Sequence, residues 1–172
     1  MKYRNVYLIG YRASGKTTLA RKLASLLKIR FVDADHELQQ QYEMTIDEMV
    51  NKHGWPYFRE REEKILSEIN ARQGQVVATG GGVILRSSNR NILTQTQNYC
   101  VYLQATISLV LERLNADPIS GQRPALSDMS LEQEISTVMS QREQLYLSCA
   151  DLVMDVSLPV EQIVISIASH LK

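Results

Sequence analysis

Cysteine is scarce: Cys100 and Cys149 are the only two in 172 residues, and they form no CxxC pair. That excludes a disulfide scaffold or a thiolate metal framework and reads as two reduced, buried thiols of a cytosolic protein. No run approaches about 18 apolar residues, so no membrane-spanning helix is expected. The apolar opening at residues 6–9 stops at Gly10, too short for the core of a secretion signal; the expected location is cytoplasmic. An excess of either charge is also missing, with 19 Lys plus Arg against 19 Asp plus Glu. Such a chain lacks the broad basic face of a nucleic-acid binder, while a local basic pocket for a small anion stays open. Repeats and low-complexity linkers are absent. With 44% hydrophobic and 22% charged residues, disordered and collagen-like classes are excluded too. The length fits a single domain with at most a small inserted lid.

What is present is alternation. Residues 6–9, 31–32, 76–78, 100–103 and 152–154 are short apolar runs of strand character. Between them apolar residues recur near every 3.6 positions. Leu19, Leu23, Leu26 and Leu27 predict one buried helix face, and Leu131, Ile135, Val138, Leu145 and Cys149 predict another. Pro159 is placed to open a last helix through Ile163, Ile167 and Leu171 as a first-turn proline. Strand–helix alternation predicts an α/β fold whose parallel sheet is covered on both sides. Residues 115–130 concentrate turn chemistry, with Asp117-Pro118, Ser120-Gly121, Arg123-Pro124 and Ser127-Asp128. Such a stretch is either a plain surface loop or a lid.

Residues 10–17, Gly-Tyr-Arg-Ala-Ser-Gly-Lys-Thr, match G-x-x-x-x-G-K-[ST] between a strand and an amphipathic helix. Glycines let the backbone curl so that several N–H groups converge on phosphate oxygens, and the helix N-terminus adds positive charge. Lys16 is placed for the β- and γ-phosphates and the Thr17 hydroxyl for Mg²⁺. The GTPase pattern D-x-x-G is missing, and Asn51-Lys52-His53-Gly54 lacks the Asp of N-K-x-D. Small-molecule and nucleotide kinases remain.

Asp33-Ala34-Asp35 follows the second strand. If the segment is extended, both carboxylates face one side and open into the ligand crevice. Asp33 would then serve Mg²⁺ and Asp35 a substrate hydroxyl; the alternative is a polar turn with Asp35 as a helix N-cap. A helix beginning near Pro56 would bury Phe58, Ile65, Leu66 and Ile69, and Arg59 and Glu62 fall on that same face. Their i, i+3 spacing allows pairing, either as a structural ion pair or as a held guanidinium offered to a carboxylate. Gly80-Gly81-Gly82 after the third strand implies backbone brought against a ligand. Arg142 sits about 20° around the wheel from Leu131, inside an apolar stripe.

Together these residues resemble the shikimate kinase family over essentially the whole chain. The resemblance rests on residues 10–17, Asp33 and Asp35, Phe58-Arg59 with Glu62, Gly80-Gly81-Gly82, Arg123-Pro124, and Arg142 with Tyr146. It implies a P-loop three-layer α/β/α sandwich of the nucleoside monophosphate kinase type, with a five-stranded parallel sheet. It also implies a substrate-binding helical segment at about 34–62 and a lid at about 115–130. The implied activity is transfer of the ATP γ-phosphoryl group to the 3-hydroxyl of shikimate, in chorismate and aromatic amino-acid biosynthesis. Nucleotide contacts are carried onto Gly10, Ala13, Ser14, Gly15, Lys16, Thr17 and Thr18. Arg123 would reach the phosphates, and Arg113 is the nearest match to a further arginine by the adenine. The adenine loop is expected around 155–159. Asp35, Phe58, Arg59, Glu62, Gly80, Gly81, Gly82 and Arg142 would form the shikimate site, with Asp35 as base and the two arginines on the carboxylate. Lys16, Asp35 and Arg123 are the implied catalytic set; Thr17 and Asp33, directly or through water, the Mg²⁺ set. ATP and shikimate are the expected partners of a monomer that binds neither nucleic acid nor membrane. Two rivals differ in class: another small P-loop kinase, such as a gluconate kinase, and a nucleotide-binding module without catalysis.

Overall fold

β1 (Asn5–Ile9) is buried along its whole length, hydrogen-bonded on both edges and covered on both faces. That is why it reads as an unbroken apolar run rather than an alternating one. It is the middle of a parallel five-stranded sheet of order β2-β3-β1-β4-β5, with β2 at Arg30–Asp33, β3 at Gln75–Ala78, β4 at Asn98–Gln104 and β5 at Leu152–Asp155. The five apolar runs read from the sequence lie inside these strands. The computed structural model describes residues 2–116 and 130–171. Most of the 115–130 stretch, Arg123 included, lies outside them.

Helices cover both faces of the sheet. Val6 and Leu8 point into a core shared with α1 (Lys16–Leu27), α5 (Ile107–Ala116) and α7 (Val160–His170). Tyr7 and Ile9 point the other way, to α2 (Ala34–Tyr42) and α3 (Ile46–Ala71). The alternation along β1 thus divides the molecule into three layers. α6 (Leu131–Cys149) serves both cores: Ile135 and Val138 enter the first, Tyr146 and Cys149 the second. Buried amides close the starting edge of the sheet, where Asn5 donates to Arg72 O, Gln75 to Ile69 O and Asn98 to Ile92 O. A short 3₁₀ turn (Val83–Leu85) and α4 (Ser87–Leu93) link β3 to β4.

α3 is two helices in one span. Thr45 caps its start through a reciprocal pair with Glu48, a capping box. Gly54, at φ 81°, breaks the spiral, and the chain restarts just before Pro56. A proline in a first turn sacrifices no helix bond, so this break is what permits Pro56 inside the span. Phe58, Ile65, Leu66 and Ile69 are buried as expected.

Three expectations need correction. Leu26 is 53% exposed and lines an open groove with Ile165 and Leu171; Ala20 and Ala24 complete the buried face of α1 instead. Leu131 is 41% exposed, because α6 begins there before it reaches the core. Pro159 occupies the N-cap of α7, one residue ahead of its first turn. Both cysteines are buried and free, and burial pushes their thiols up. Among the described residues no helix is long and apolar enough to cross a membrane.

Burial also raises the phenol pKa of Tyr7, Tyr102 and Tyr146, the last to about 12. A raised folded-state pKa favours the neutral form, so this stabilisation is whole below about pH 10, the unfolded value, and is lost as pH climbs toward the folded values. Thermal unfolding should therefore hold its midpoint up to about pH 10 and fall above it, with these tyrosines ionising only as the protein unfolds. Early phenolate absorbance from Tyr7, Tyr102 and Tyr146, tracked with Tyr→Phe variants, would contradict this packing.

Candidate active site

The strands end where parallel α/β sheets hold ligands, at their carboxyl edge. Two pockets open there. One, of about 560 Å³ including open space, lies between Gly15, Thr18, Arg113, Val156 and Val160. The other, about 460 Å³ on the same measure, lies between Tyr11, Arg12, Trp55, Phe58, Arg59, Glu62, Gly81, Gly82 and Arg142. The P-loop runs between them.

The loop's shape requires its glycines. Gly10 has φ 145°, and a Cβ there would stand 2.7 Å from the Leu103 carbonyl oxygen. Gly15, at φ 90°, is the N-cap of α1. Ser14 is buried behind the loop. Lys16 turns back under it, its Nζ donating to Gly10 O at 2.9 Å and Tyr11 O at 2.6 Å. Arg113 donates to Ala13 O and Val156 O, tying the P-loop to the segment after β5. Arg113 and Val156 thus line one pocket.

The two aspartates depart from the extended geometry. Asp33 ends β2 and is itself the N-cap of α2, accepting from His36 N; Asp35 already lies in the first helical turn. The helix starts at Ala34, so the i, i+2 rule of strands does not apply and the carboxylates diverge. Asp33 Oδ2 accepts from the Thr17 hydroxyl at 2.9 Å. Asp35 Oδ1 lies 2.8 Å from where a Cβ on Gly80 would be. Thr17 and Asp33 together offer hard oxygen donors beside the P-loop. Mg²⁺ typically takes one or two protein ligands and fills its remaining positions with water and phosphate, which this pair suits. Among the described residues no cluster of three or more His, Cys, Asp or Glu could hold a metal.

Opposite stands the second half of α3. Arg59 Nη1 donates to Glu62 Oε2 at 2.6 Å, and both side chains are largely buried. Its guanidinium also lies 5.2 Å from the Trp55 ring and 4.9 Å from the Phe58 ring, a cation–π arrangement. The glycines make room for this. A Cβ on Gly82 would collide with the Arg59 guanidinium, and one on Gly80 would stand 2.7 Å from Glu62 Oε1. Gly81 serves α6: Tyr146 Oη donates to its carbonyl at 2.5 Å and Arg142 Nη1 at 3.3 Å. Tyr146 is 1% exposed and stacks on Tyr102 at 4.9 Å; Tyr102 in turn donates to Glu143. Arg142 makes no ion pair among the described residues.

Thus Gly10, Ala13, Ser14, Gly15, Lys16, Thr17, Thr18, Asp33 and Arg113 gather around the P-loop. Asp35, Phe58, Arg59, Glu62, Gly80, Gly81, Gly82 and Arg142 gather on the other side of its wall. Arg123 falls outside the described residues. The sequence reading missed Arg12, which lines the second pocket and pairs with buried Glu134 at 2.5 Å. Arg12 fills a wildcard position of the motif, so the motif carried no signal for it. A signal did exist in α6: Glu134, Val138 and Arg142 recur at i, i+4 and i+8, two charges in an apolar stripe.

Known proteins are similar to this chain in sequence and fold. The family model described as shikimate kinase matches residues 12–172. Shikimate kinase 2 of Photorhabdus laumondii subsp. laumondii is 39% identical over 158 residues, covering 92% of this chain and 90% of that protein. Shikimate kinase 2 of Enterobacter sp. (strain 638) is 40% identical over 167 residues, covering 97% and 95%. The structure of shikimate kinase from Acinetobacter baumannii in complex with shikimate superimposes with a TM-score of 0.91 at 33% identity, over 98% of this chain and 93% of that one.

The two kinds of glycine should fail differently. Gly10→Ala meets backbone at a positive φ, so it should lower the unfolding free energy by more than about 1 kcal/mol. Gly82→Ala meets the guanidinium of Arg59 instead, whose departure from Glu62 breaks a largely buried ion pair, so stability should fall as well and Arg59 should leave Trp55. Denaturant unfolding followed by Trp55 emission reads both. An unchanged Trp55 signal in folded Gly82→Ala would contradict the glycine argument.

Proposed function

The chain belongs to the shikimate kinase family, and from that premise we propose how its residues move the ATP γ-phosphoryl group to the 3-hydroxyl of shikimate. The reaction yields shikimate 3-phosphate and ADP, a step toward chorismate and the aromatic amino acids. The observation that carries the assignment of sites is the division of charge across the P-loop wall. On one side lie the P-loop and Lys16, at the N-terminus of α1; on the other lie the guanidiniums of Arg12, Arg59 and Arg142.

We read the chain as one kinase domain in which 34–62 form the acceptor segment and 115–130 the lid. The adenine lies in the Arg113–Val156 pocket, and the phosphates on the loop formed by Gly10, Ala13, Ser14, Gly15, Lys16, Thr17 and Thr18. Thr17 and Asp33 hold Mg²⁺, which supplies charge neutralisation on the phosphates. Phosphoryl transfer needs positioning and electrostatic stabilisation more than covalent chemistry. Lys16 and the loop N–H groups spread the developing charge, joined by Arg123 from the lid. Asp35 accepts the proton of the attacking hydroxyl. Arg142 takes the shikimate carboxylate, supported by its having no carboxylate of its own among the described residues; a half-buried guanidinium gains most from an anion when it lacks one. Arg59, already held by Glu62 and flanked by Phe58, supplies the second point of the clamp. Gly80, Gly81 and Gly82 floor the site. The two buried free thiols support residence in a reducing cytoplasm.

A coupled assay for ADP release tests this with shikimate, with gluconate and with no acceptor. ADP release should depend on shikimate alone; equal rates with gluconate or without acceptor would overturn the assignment. In the same assay Arg142→Lys keeps the charge but loses the planar fork. It should raise the shikimate KM by an apparent penalty of roughly 2–5 kcal/mol and leave the ATP KM unchanged. Asp35→Asn should instead lower kcat, on the order of 10²–10⁴-fold. Equal damage to both KM values by Arg142→Lys would remove Arg142 from the carboxylate.

A further inference from the structure

We propose that Arg12 is a further acceptor-site residue, one that binds the phosphoryl group once it sits on the acceptor hydroxyl. The proposal rests on the assignment of the two pockets given above. Its first support is position. Arg12 follows Tyr11, whose carbonyl takes the Lys16 ammonium, so its backbone belongs to the phosphate loop. Its side chain nevertheless lines the acceptor pocket. Its backbone N lies 3.2 Å from where a Cβ on Gly81 would stand, at the seam between the P-loop and the acceptor floor. A phosphoryl group leaving the loop for an acceptor must cross that seam.

The second support is the state of the guanidinium. Arg12 and Glu134 side chains are 11% and 4% exposed, so the pair is nearly dry. Arginine and carboxylate often pair through two parallel N–H donors. Here only Nη2 reaches Glu134, at 2.5 Å, so the fork is not closed on that carboxylate. A pair serving only to pin α6 to the loop would be expected to use the whole fork. Glu134 instead fixes one end of the guanidinium at the pocket wall without occupying its whole fork.

The third support is charge. Arg142 takes the carboxylate, which the acceptor carries before and after reaction. Phosphorylation replaces a neutral hydroxyl with a group of nearly two negative charges, so it creates a demand that exists only after transfer begins. Arg12 is placed on the side from which that charge arrives. It therefore distinguishes phosphorylated from unphosphorylated acceptor.

Trp55 is the only tryptophan in the chain and lines the same pocket. Its emission can report binding in the full-length protein without turnover. The titrants are shikimate, shikimate 3-phosphate and ADP, applied to wild type, Arg12→Gln and Arg12→Lys. Arg12→Gln should weaken shikimate 3-phosphate by roughly tenfold to a hundredfold while shikimate and ADP hold. Arg12→Lys retains a charge and a donor for Glu134, and it should show the same selective loss to a smaller degree, including where Arg12→Gln unfolds. Equal losses for shikimate and its phosphate would make Arg12 a general acceptor ligand and overturn the proposal. No loss for either in a folded variant would reduce it to a structural pair and overturn it too. Wild type indifferent to shikimate would instead refute the assignment of the pocket itself.

Discussion

A guanidinium lies where a Cβ on residue 82 would have to be, and two carboxylate oxygens lie against residue 80 in the same way. Close approach between side chains and bare backbone is what the acceptor half of the molecule depends on. None of Gly80, Gly81 and Gly82 has the positive φ that would demand glycine for conformation. They are needed for room. Through that room α2 delivers Asp35, α3 delivers Arg59 and Glu62, and α6 delivers Arg142 and Tyr146 to one turn. The loop becomes a common floor for three helices, so its position and theirs are tied together.

The same floor joins the two pockets. A Cβ on Gly81 would stand 3.2 Å from Arg12 N and 3.4 Å from Gly10 O, and Gly10 O is one of the carbonyls that hold Lys16. The nucleotide and acceptor sites proposed above are therefore built on adjoining stretches of backbone, a preorganisation of the kind phosphoryl transfer requires. Charges within the acceptor pocket are assigned in pairs. Glu62 holds Arg59 and Glu134 holds Arg12, whereas Arg142 rests on a carbonyl. Nearly dry ion pairs cost desolvation and are retained where they fix geometry. Here each holds an arginine at the pocket wall.

Much of this was legible in the sequence because local rules agreed with the fold. The P-loop stood between a strand and a helix, and the apolar run at 6–9 had strand length and composition. Arg59 and Glu62 were visible because helical periodicity put two charges where apolar residues belonged. What stayed hidden depended on where one element ends. Asp33 and Asp35 looked parallel under strand rules, yet the helix begins between them, so Asp33 meets Thr17 and Asp35 lies against Gly80. Arg12 was invisible in a motif that leaves its position open, and its partner lies 122 residues away in α6. Leu26 obeyed helical periodicity and still stands exposed, since periodicity names a face and not what covers it.

The central claim is that the pocket between α3 and α6 is built for a carboxylate. The direct measurement compares shikimate with an analogue that keeps the ring and hydroxyls but lacks the carboxylate, using Trp55 emission on the wild-type protein. An acid held by Arg142 and Arg59 in a partly dry site predicts that the analogue binds on the order of a hundredfold more weakly. An analogue that binds as tightly as shikimate would mean that the arginines serve the fold alone and that the acid is recognised elsewhere.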